Sequence, residues 1–413
     1  MAIRLKLART ARELEDVFRL RYQVYVTERG KFTANPDSPR IVDHFDAVPG
    51  VANVVAYDGD RAVAAMRLNE DTSIGLPAES YFDFSAIRKR LEKEWQDRDQ
   101  ALKLVGGSML AIRREYRNRR NVILALFKEA AGIMYSMEAT HVIGSVRADT
   151  FSMYERIGFQ TVGDPSFNES VGDTLVPIMA PFDRVFEWTF GNIGTEISHF
   201  WLDRFTPEFE RILLSPGEVL FRQGDVADHA YAVDEGWISI SRTDPEGNEM
   251  VLANLSRGAF FGEVAIFDGE RRSATATALV NTELISIERE RLLDAVRRNP
   301  EKMDQLLAHF ARRIRQTDDL AMVLAFAPQT RRVEMVLHDL WNSAVPDRRR
   351  PGVRVARVGP EQIAKKAQVR EEEVRKVLEM RKANGVLNYG DRVIRFFREP
   401  NFEPVTRRAD AAG

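Results

Sequence analysis

Phe261-Gly262-Glu263-Val264-Ala265-Ile266-Phe267-Asp268-Gly269-Glu270-Arg271-Arg272-Ser273-Ala274-Thr275 is the stretch on which the reading of this chain turns. A glycine opens a short helical turn whose unpaired N–H groups can face an anion. A carboxylate follows, and an arginine with a serine arrives ten residues after the glycine. Gly262, Glu263, Val264 and Ala265 with Arg272 and Ser273 thus form a pocket for a phosphate and a hydroxyl together. Arg272 can make a paired, charge-assisted contact to a phosphodiester that lysine cannot copy, and Glu263 can accept from a sugar hydroxyl. The plainer alternative is a surface Glu–Arg salt bridge on a β-turn. From Phe205 to Glu288 short apolar runs are punctuated by Gly217, Gly224, Gly236, Gly247, Gly258, Gly262 and Gly269, the pattern of a compact all-β unit with tight turns.

Pro300 ends that pattern. Leu306, Phe310, Ile314, Thr317, Ala321 and Leu324 then recur at helical spacing between charged residues, which predicts one long amphipathic helix over 301–326. Such a stripe needs a partner, either its own β-unit or a second copy of the chain in a parallel seam. After Pro328 a second helix is expected to Trp341, and a Pro/Arg-rich connector carries Arg348-Arg349-Arg350. PEQIAKKAQVREEEVRKVLEMRKANGVL (360–387) reads as two helices about a turn, with a hairpin-like NYGDRVIRFF behind it. Residues 330–398 hold 17 Lys/Arg against 9 Asp/Glu, a net of +8. The near-neutral total of −2, from 60 basic and 62 acidic residues, therefore hides a basic module behind a body at −10. A basic module suits a phosphate-tracking surface, although a charge run is also the ordinary state of a solvated face.

The cassette from Phe261 to Thr275, with LLSPGEVLFRQGDVADHAYAVDEGWISIS upstream, resembles the cyclic-nucleotide-binding domain over about Phe205 to Val323. Arg272-Ser273 has the form seen in cAMP-binding bacterial regulators, and 360–397 resembles the winged helix-turn-helix of the catabolite activator family. The resemblance implies a homodimer that binds cAMP or a similar cyclic nucleotide through Gly262, Glu263, Val264, Ala265, Arg272 and Ser273. Thr317-Asp318 stands where that family has a Thr-Ser pair on the adenine; Thr317 matches and Asp318 departs. Promoter DNA would meet the start of the second helix of the pair, at Arg370, Glu371, Glu372, Arg375 and Lys376. There Glu372 keeps the family's residue and Lys376 its charge, while Glu371 reverses an arginine and Glu373 replaces a small hydroxyl residue. Three consecutive carboxylates are also what a helix start favours through its dipole and through i,i+4 pairing with Arg375 and Lys376.

Residues 1–180 alternate strand-like and helix-like segments: strands at 3–7, 51–57 and 62–68, helices at 13–25 and 123–137. Tyr154-Glu155-Arg156-Ile157-Gly158-Phe159 resembles the Tyr-x-x-x-Gly-Phe signature of the GNAT acyltransferase superfamily. That resemblance places Tyr154 beside a thioester sulfur as the acid that protonates the leaving thiolate; otherwise Tyr154 is a packed helix residue and Gly158 its C-cap. One element upstream, Arg117, Arg119 and Arg120 occupy the place of the superfamily's pyrophosphate loop, with Arg120 and Val122 where glycines are usual. Arginine side chains would replace part of a backbone N–H cradle for the acyl donor. A second resemblance is to acyl-homoserine-lactone synthases and the related N-acyl amino acid synthases, GNAT-fold enzymes that take long acyl groups, often from acyl carrier protein. Arg21 in RYQVY, Asp43 and Asp46 in IVDHFD, and Arg67 in AAMRL match that family in order and kind. Its Glu and Arg around LVGGSMLAI are here Gly106 and Met109, so an amine acceptor other than the lactone precursor is expected; His44 is read as structural.

At 413 residues the chain exceeds one ordinary core. Zero cysteines exclude disulfides, thiolate metal sites and cysteine nucleophiles and fit a reducing cytoplasm; no metal site is expected. No stretch approaches the roughly 20 apolar residues of a membrane span. The expected architecture is multidomain: a GNAT-like α/β domain (1–185), an all-β cyclic-nucleotide-binding roll (200–300), a linking and dimerisation helix (301–327) and a winged helix-turn-helix (328–400). Two outputs are open, a cAMP-responsive transcription regulator or a cAMP-gated N-acyltransferase using acyl-CoA or acyl carrier protein thioester.

Overall fold

The computed structural model describes residues 2–32, 37–190, 209–298, 300–347 and 350–400. Arg348, Arg349, the chain from 191 to 208, the tail beyond 400 and the side chains of Ala321 and Leu324 lie outside the described residues. The chain divides into two compact units, Met1–Leu213 and Leu214–Gly413.

In the first unit a twisted sheet runs in the order β1-β2-β3-β4-β5-β8-β6, with β7 on β8. Its strands are β1 (Ile3–Leu7), β2 (Val51–Asp58), β3 (Arg61–Glu70), β4 (Leu104–Ile112), β5 (His141–Arg147), β6 (Gln160–Thr161), β7 (Ser166–Asn168) and β8 (Asp173–Pro181). Helix α1 (Ala11–Tyr22) starts in a capping box between Thr10 and Glu13 and passes into a π-helical turn, Gln23–Thr27. Periodicity in the sequence predicts one continuous helix to Tyr25; the π turn adds a residue and re-aims the chain beyond it. Helices α2 (Ser85–Gln96), α3 (Arg120–Ser136), α4 (Phe151–Ile157) and α5 (Phe182–Phe190) complete the unit. Val122, Ala125, Leu126 and Ala130 of α3 and Val185 and Phe190 of α5 pack into its main core.

The parallel pair β4/β5 opens this unit. Pairing runs only from Leu104/His141 to Gly107/Gly144, while both strands continue, so they diverge beyond the glycines. Across from Met66, β4 bulges: Arg67 pairs with Ser108 and Ala65 with Ala111, leaving Met109 (φ 51°) and Leu110 out of the ladder.

In the second unit one antiparallel sheet follows the order 219–221, 275–278, 237–243, 249–256, and a second pairs His229–Glu235 with Phe260–Phe261 and with Thr282–Glu288. Gly236 (φ 97°) turns the chain where a Cβ would lie 2.5 Å from Thr282 Oγ1. A helix over Arg289–Arg298, not foreseen from the sequence, precedes the long helix Pro300–Phe326. Helices Gln329–Ser343, Pro360–Ala367 and Glu371–Ala383 come next, with Gln368 (φ 51°) turning the last two. The hairpin Leu387–Gly390/Val393–Phe396 forms the wing. Val336, Leu337, Ile363, Val374, Leu378 and Phe396 build this module's core, into which Trp237 is buried as well.

Candidate functional site

Arg272 and Glu263 are brought together in the second unit, and both are withdrawn from water. Glu263 is fully buried just ahead of the five-residue helix Val264–Asp268. Its Oε1 accepts from Arg313 Nη1 at 2.9 Å and lies 3.4 Å from His309 Nε2, both on the long helix. Its Oε2 is buried without a hydrogen-bond partner among the described residues. Arg272 is 3% exposed. It donates to Gly262 O at 2.7 Å and to His229 O at 2.6 Å, and it stacks on Phe221 at 4.2 Å and Tyr231 at 5.5 Å. No carboxylate pairs with it among the described residues, and burial pulls its pKa below the usual guanidinium range. Gly262 (φ 77°) is required here, since a Cβ would sit 2.9 Å from Arg272 Nη1. Val264 and Ala265 form the first turn behind Glu263, and Ser273 is exposed ahead of the strand Thr275–Ala278.

His309 and Arg313 carry no motif that marks them in the sequence. The available signal is their i,i+4 spacing on the helix face that also carries Leu306 and Phe310. Leu306 is buried and Phe310 packs edge-on to Phe267, whereas Leu307 and Ile314, the latter 62% exposed, face outward. Thr317 donates to Arg313 O at 3.0 Å within its own helix; it and Asp318 are exposed one turn on and make no hydrogen bond to the cassette among the described residues.

In the helix-turn-helix module Arg370 is the N-cap of the helix Glu371–Ala383. Arg370, Glu372, Arg375 and Lys376 are exposed and Glu371 is half-buried. Arg375 bonds Glu371 at 2.6 Å, and Lys376 lies 3.2 Å from Glu372 and 2.8 Å from Glu373.

In the first unit Arg21, Asp43, Asp46 and Arg67 converge in an ion network of two cations and two anions, with Arg21 Nε lacking a hydrogen-bond partner among the described residues. Arg21 donates to both oxygens of Asp46 at 2.9 Å and to Asn53 Oδ1 at 2.5 Å. Arg67 donates to Asp43 at 2.6 and 3.0 Å and to Ser108 Oγ at 3.0 Å, and its Nη1 lies 2.9 Å from Asp46. Burial alone would raise the Asp46 carboxyl; Arg21 and Arg67 outweigh it and hold the pKa below the usual range. Asp43 caps the turn His44–Asp46, where the His44 ring lies 4.1 Å from that of Phe45.

Beside this network, where β4 and β5 diverge, lies a cavity of about 450 Å³. Phe127, Met134, Val142, Ile178 and Val185 give it an apolar lining; Asp43, His44, Arg67, Arg29 and Arg147 supply charge and polarity. Tyr154 lines it too, with its ring edge-on to Phe127 and Phe159, and burial pushes its hydroxyl above the ordinary tyrosine range. Tyr25, half-buried near the bulge, donates to Leu110 O at 2.9 Å, and desolvation pushes its pKa up to about 12. Gly106 is tightly packed: a Cβ would lie 3.2 Å from Leu76 and from Pro77, so the acid expected in lactone synthases would require both to shift. Arg117 donates to Ile112 O at 2.9 Å and to Glu28 at 2.5 Å. Arg119 lies over Tyr116 at 4.7 Å, Arg120 opens α3 in solvent, and Val122 is core. No group of three or more His, Cys, Asp or Glu suited to a metal ion occurs among the described residues, and no described helix is long and apolar enough to cross a membrane.

An α/β acyltransferase-type unit and a cyclic-nucleotide-type roll with a winged helix-turn-helix are thus joined in one chain. Residues 211–299 match the family model of the cyclic nucleotide-binding domain, and residues 16–181 that of the N-acyl amino acid synthase FeeM. The Cyclic AMP receptor protein of Thermus thermophilus is 38% identical over 129 residues, 31% of this chain and 60% of the relative. The CRP-like cAMP-activated global transcriptional regulator of Mycobacterium tuberculosis is 30% identical over 135 residues, 33% of this chain and 60% of the relative. The chain therefore spans about 60% of the length of these curated relatives. Among solved structures, FeeM from uncultured soil microbes is 15% identical, with 46% of this chain and 94% of that one covered at a TM-score of 0.36.

Proposed function

We propose that the chain is a cyclic-nucleotide-responsive transcription regulator of the catabolite activator type, with cAMP as effector, that carries an acyltransferase domain. In this reading residues 1–185 are the acyl domain, 200–300 the nucleotide roll, 301–327 the coupling helix and 328–400 the DNA module. The carrying observation is Glu263, whose buried carboxylate is held by Arg313 and His309 of the long helix. A ribose hydroxyl and the helix compete for one carboxylate, while Arg272 turns from two carbonyls to the phosphate. Ligand binding therefore biases how the helix packs, and that differential affinity is the coupling. Exposed Leu307 and Ile314 give a second copy of the chain an apolar seam. Arg370, Glu371, Glu372, Arg375 and Lys376 face the major groove of promoter DNA, Lys376 and Arg375 leaving their intrahelical carboxylates for phosphate or base. The test is retention of genomic DNA fragments by the full chain at low salt. Added 3′,5′-cAMP should increase retention; retention unchanged by any cyclic nucleotide would remove the regulator reading.

A second reading, N-acyl transfer to an amino acid, is favoured by the cavity at the β4/β5 opening. The apolar lining takes the acyl chain of an acyl-CoA or acyl carrier protein thioester, whose phosphates meet Arg117, Arg119 and Arg120. The acceptor nitrogen forms the amide C–N bond, the C–S bond breaks, and the proton lost by nitrogen is balanced by the one the thiolate gains. Tyr154, kept protonated by burial, delivers that proton to sulfur. Thiol release from an acyl thioester with an amino acid present should fall about 10²-fold in Tyr154→Phe; an undiminished rate removes Tyr154 from the mechanism.

A further inference from the structure

Arg29 lines the same cavity, two residues beyond the π turn, and is half-buried there. Among the described residues it makes no hydrogen bond and no ion pair. The cations around it are already matched. Arg117 bonds Glu28 at 2.5 Å, Lys31 Nζ lies 3.3 Å from Asp173, and Arg147 Nε lies 3.3 Å from the same carboxylate. Arg147 Nε forms no hydrogen bond among the described residues, but its Nη2 donates to Asp149, so this cation too is paired. Burial, then the charges of Arg117 and Arg147, draw the Arg29 guanidinium below its ordinary range, with Tyr25 and then Asp149 opposing them. A partly desolvated cation flanked by like charge is unfavourable until an anion joins it.

We infer that Arg29, backed by Arg147, is the specificity-determining clasp for the carboxylate of the acyl acceptor. The inference rests on the acyl-transfer reading of this cavity. Two sources of anion exist, the acceptor's carboxylate and the donor's phosphate, and position separates them. Arg29 and Arg147 are in the cavity lining, whereas Arg119 and Arg120, which head α3 in solvent, are not. An amino acid that attacks a thioester brings its carboxylate into the cavity with its nitrogen. The anion then needs a guanidinium on the wall, which a simple amine does not.

The test is calorimetric titration of the full chain with N-dodecanoylglycine and with N-methyldodecanamide, which shares the acyl chain and amide but lacks the carboxylate. Wild type should bind the carboxylate about tenfold or more tighter, the scale of one charge-assisted contact. Arg29→Gln should bind both alike, with an unfolding midpoint at or above wild type, and Arg29→Lys should keep part of the preference. A preference untouched in Arg29→Gln overturns the inference, as does a wild type that binds both ligands equally; in the latter case the acyl site itself stands. Wild type binding neither ligand removes the acyl-site reading and the inference with it. Coenzyme A is the remaining arm: if Arg29→Gln weakens it and spares the carboxylate preference, Arg29 serves the donor and the assignment to the acceptor is wrong.

Discussion

Two buried clusters of arginine and acid in this chain use the same residue types, yet their charge balances differ. In the first unit Arg21 and Arg67 meet Asp43 and Asp46, two cations for two anions, with Asn53 and Ser108 filling further positions. In the second unit Glu263 is matched by Arg313 and His309, but Arg272 has no direct ion pair among the described residues: it bonds two carbonyls, packs on Phe221 and Tyr231, and feels Asp225 and Asp228 only at longer range. A network matched in charge ties together the segments it joins, although here Arg21 Nε has no hydrogen-bond partner among the described residues. An unmatched buried guanidinium is stable enough to persist yet gains most when an anion arrives. The difference separates framework from ligand site better than residue identity does, and it also distinguishes Arg29, which lines the cavity, from Arg117, which does not and is paired with Glu28.

The sharpest way to break the comparison is to unbalance the matched network. Asp46→Asn leaves Arg21 and Arg67 with one carboxylate, and the first unit should lose about 3–5 kcal/mol in chemical denaturation of the full chain. Arg272→Gln, by contrast, removes an unmatched cation and should leave the unfolding midpoint of the second unit unchanged or raised. The same contrast appears with acid. The Asp46 pKa is lowered in the fold, so its contribution is complete above the unfolded value near 4 and is lost as pH falls toward the folded one. Stability of the first unit should therefore drop as pH falls below about 4, and Asp46→Asn should flatten that drop.

Smaller effects sharpen the account of coupling. Arg313→Met frees Glu263 from the long helix, and the cyclic-nucleotide-dependent gain in DNA retention should shrink about tenfold, within the usual 1–3 kcal/mol range of coupling. A gain of wild-type size would mean that the Glu263–Arg313 pair is only structural. Lys376→Gln should lower the salt dependence of DNA retention by about one in the log–log slope and change little else.

Much of this is legible in the sequence where the information is local. Gly262, Glu263 and Arg272 lie within ten residues, so their closeness is legible from spacing, while their reading as a nucleotide site comes from the family resemblance. The helix pair over 360–387 and its hairpin are likewise visible, because capping, turn and periodicity are near-neighbour signals. Long-range matching is not legible. Arg313 reaches Glu263 from 50 residues away, and only folding shows that a carboxylate assigned to ribose already has a partner. The four residues Arg21, Asp43, Asp46 and Arg67 are recognisable as a set, but their mutual neutralisation depends on how the π turn and the capped turn at His44 bring them together. Arg29 carries no motif at all, since being unpaired is a property of surroundings rather than of sequence.

The claim that an unmatched buried arginine marks a ligand site is tested most directly by calorimetric titration of the full chain with 3′,5′-cAMP, wild type against Arg272→Gln. Wild type should bind, and the variant should bind at least about a hundredfold more weakly with its fold intact, the scale of losing a desolvated charge contact. Equal affinity in the two proteins would contradict the account, because Arg272 would then be buried for the structure's sake alone.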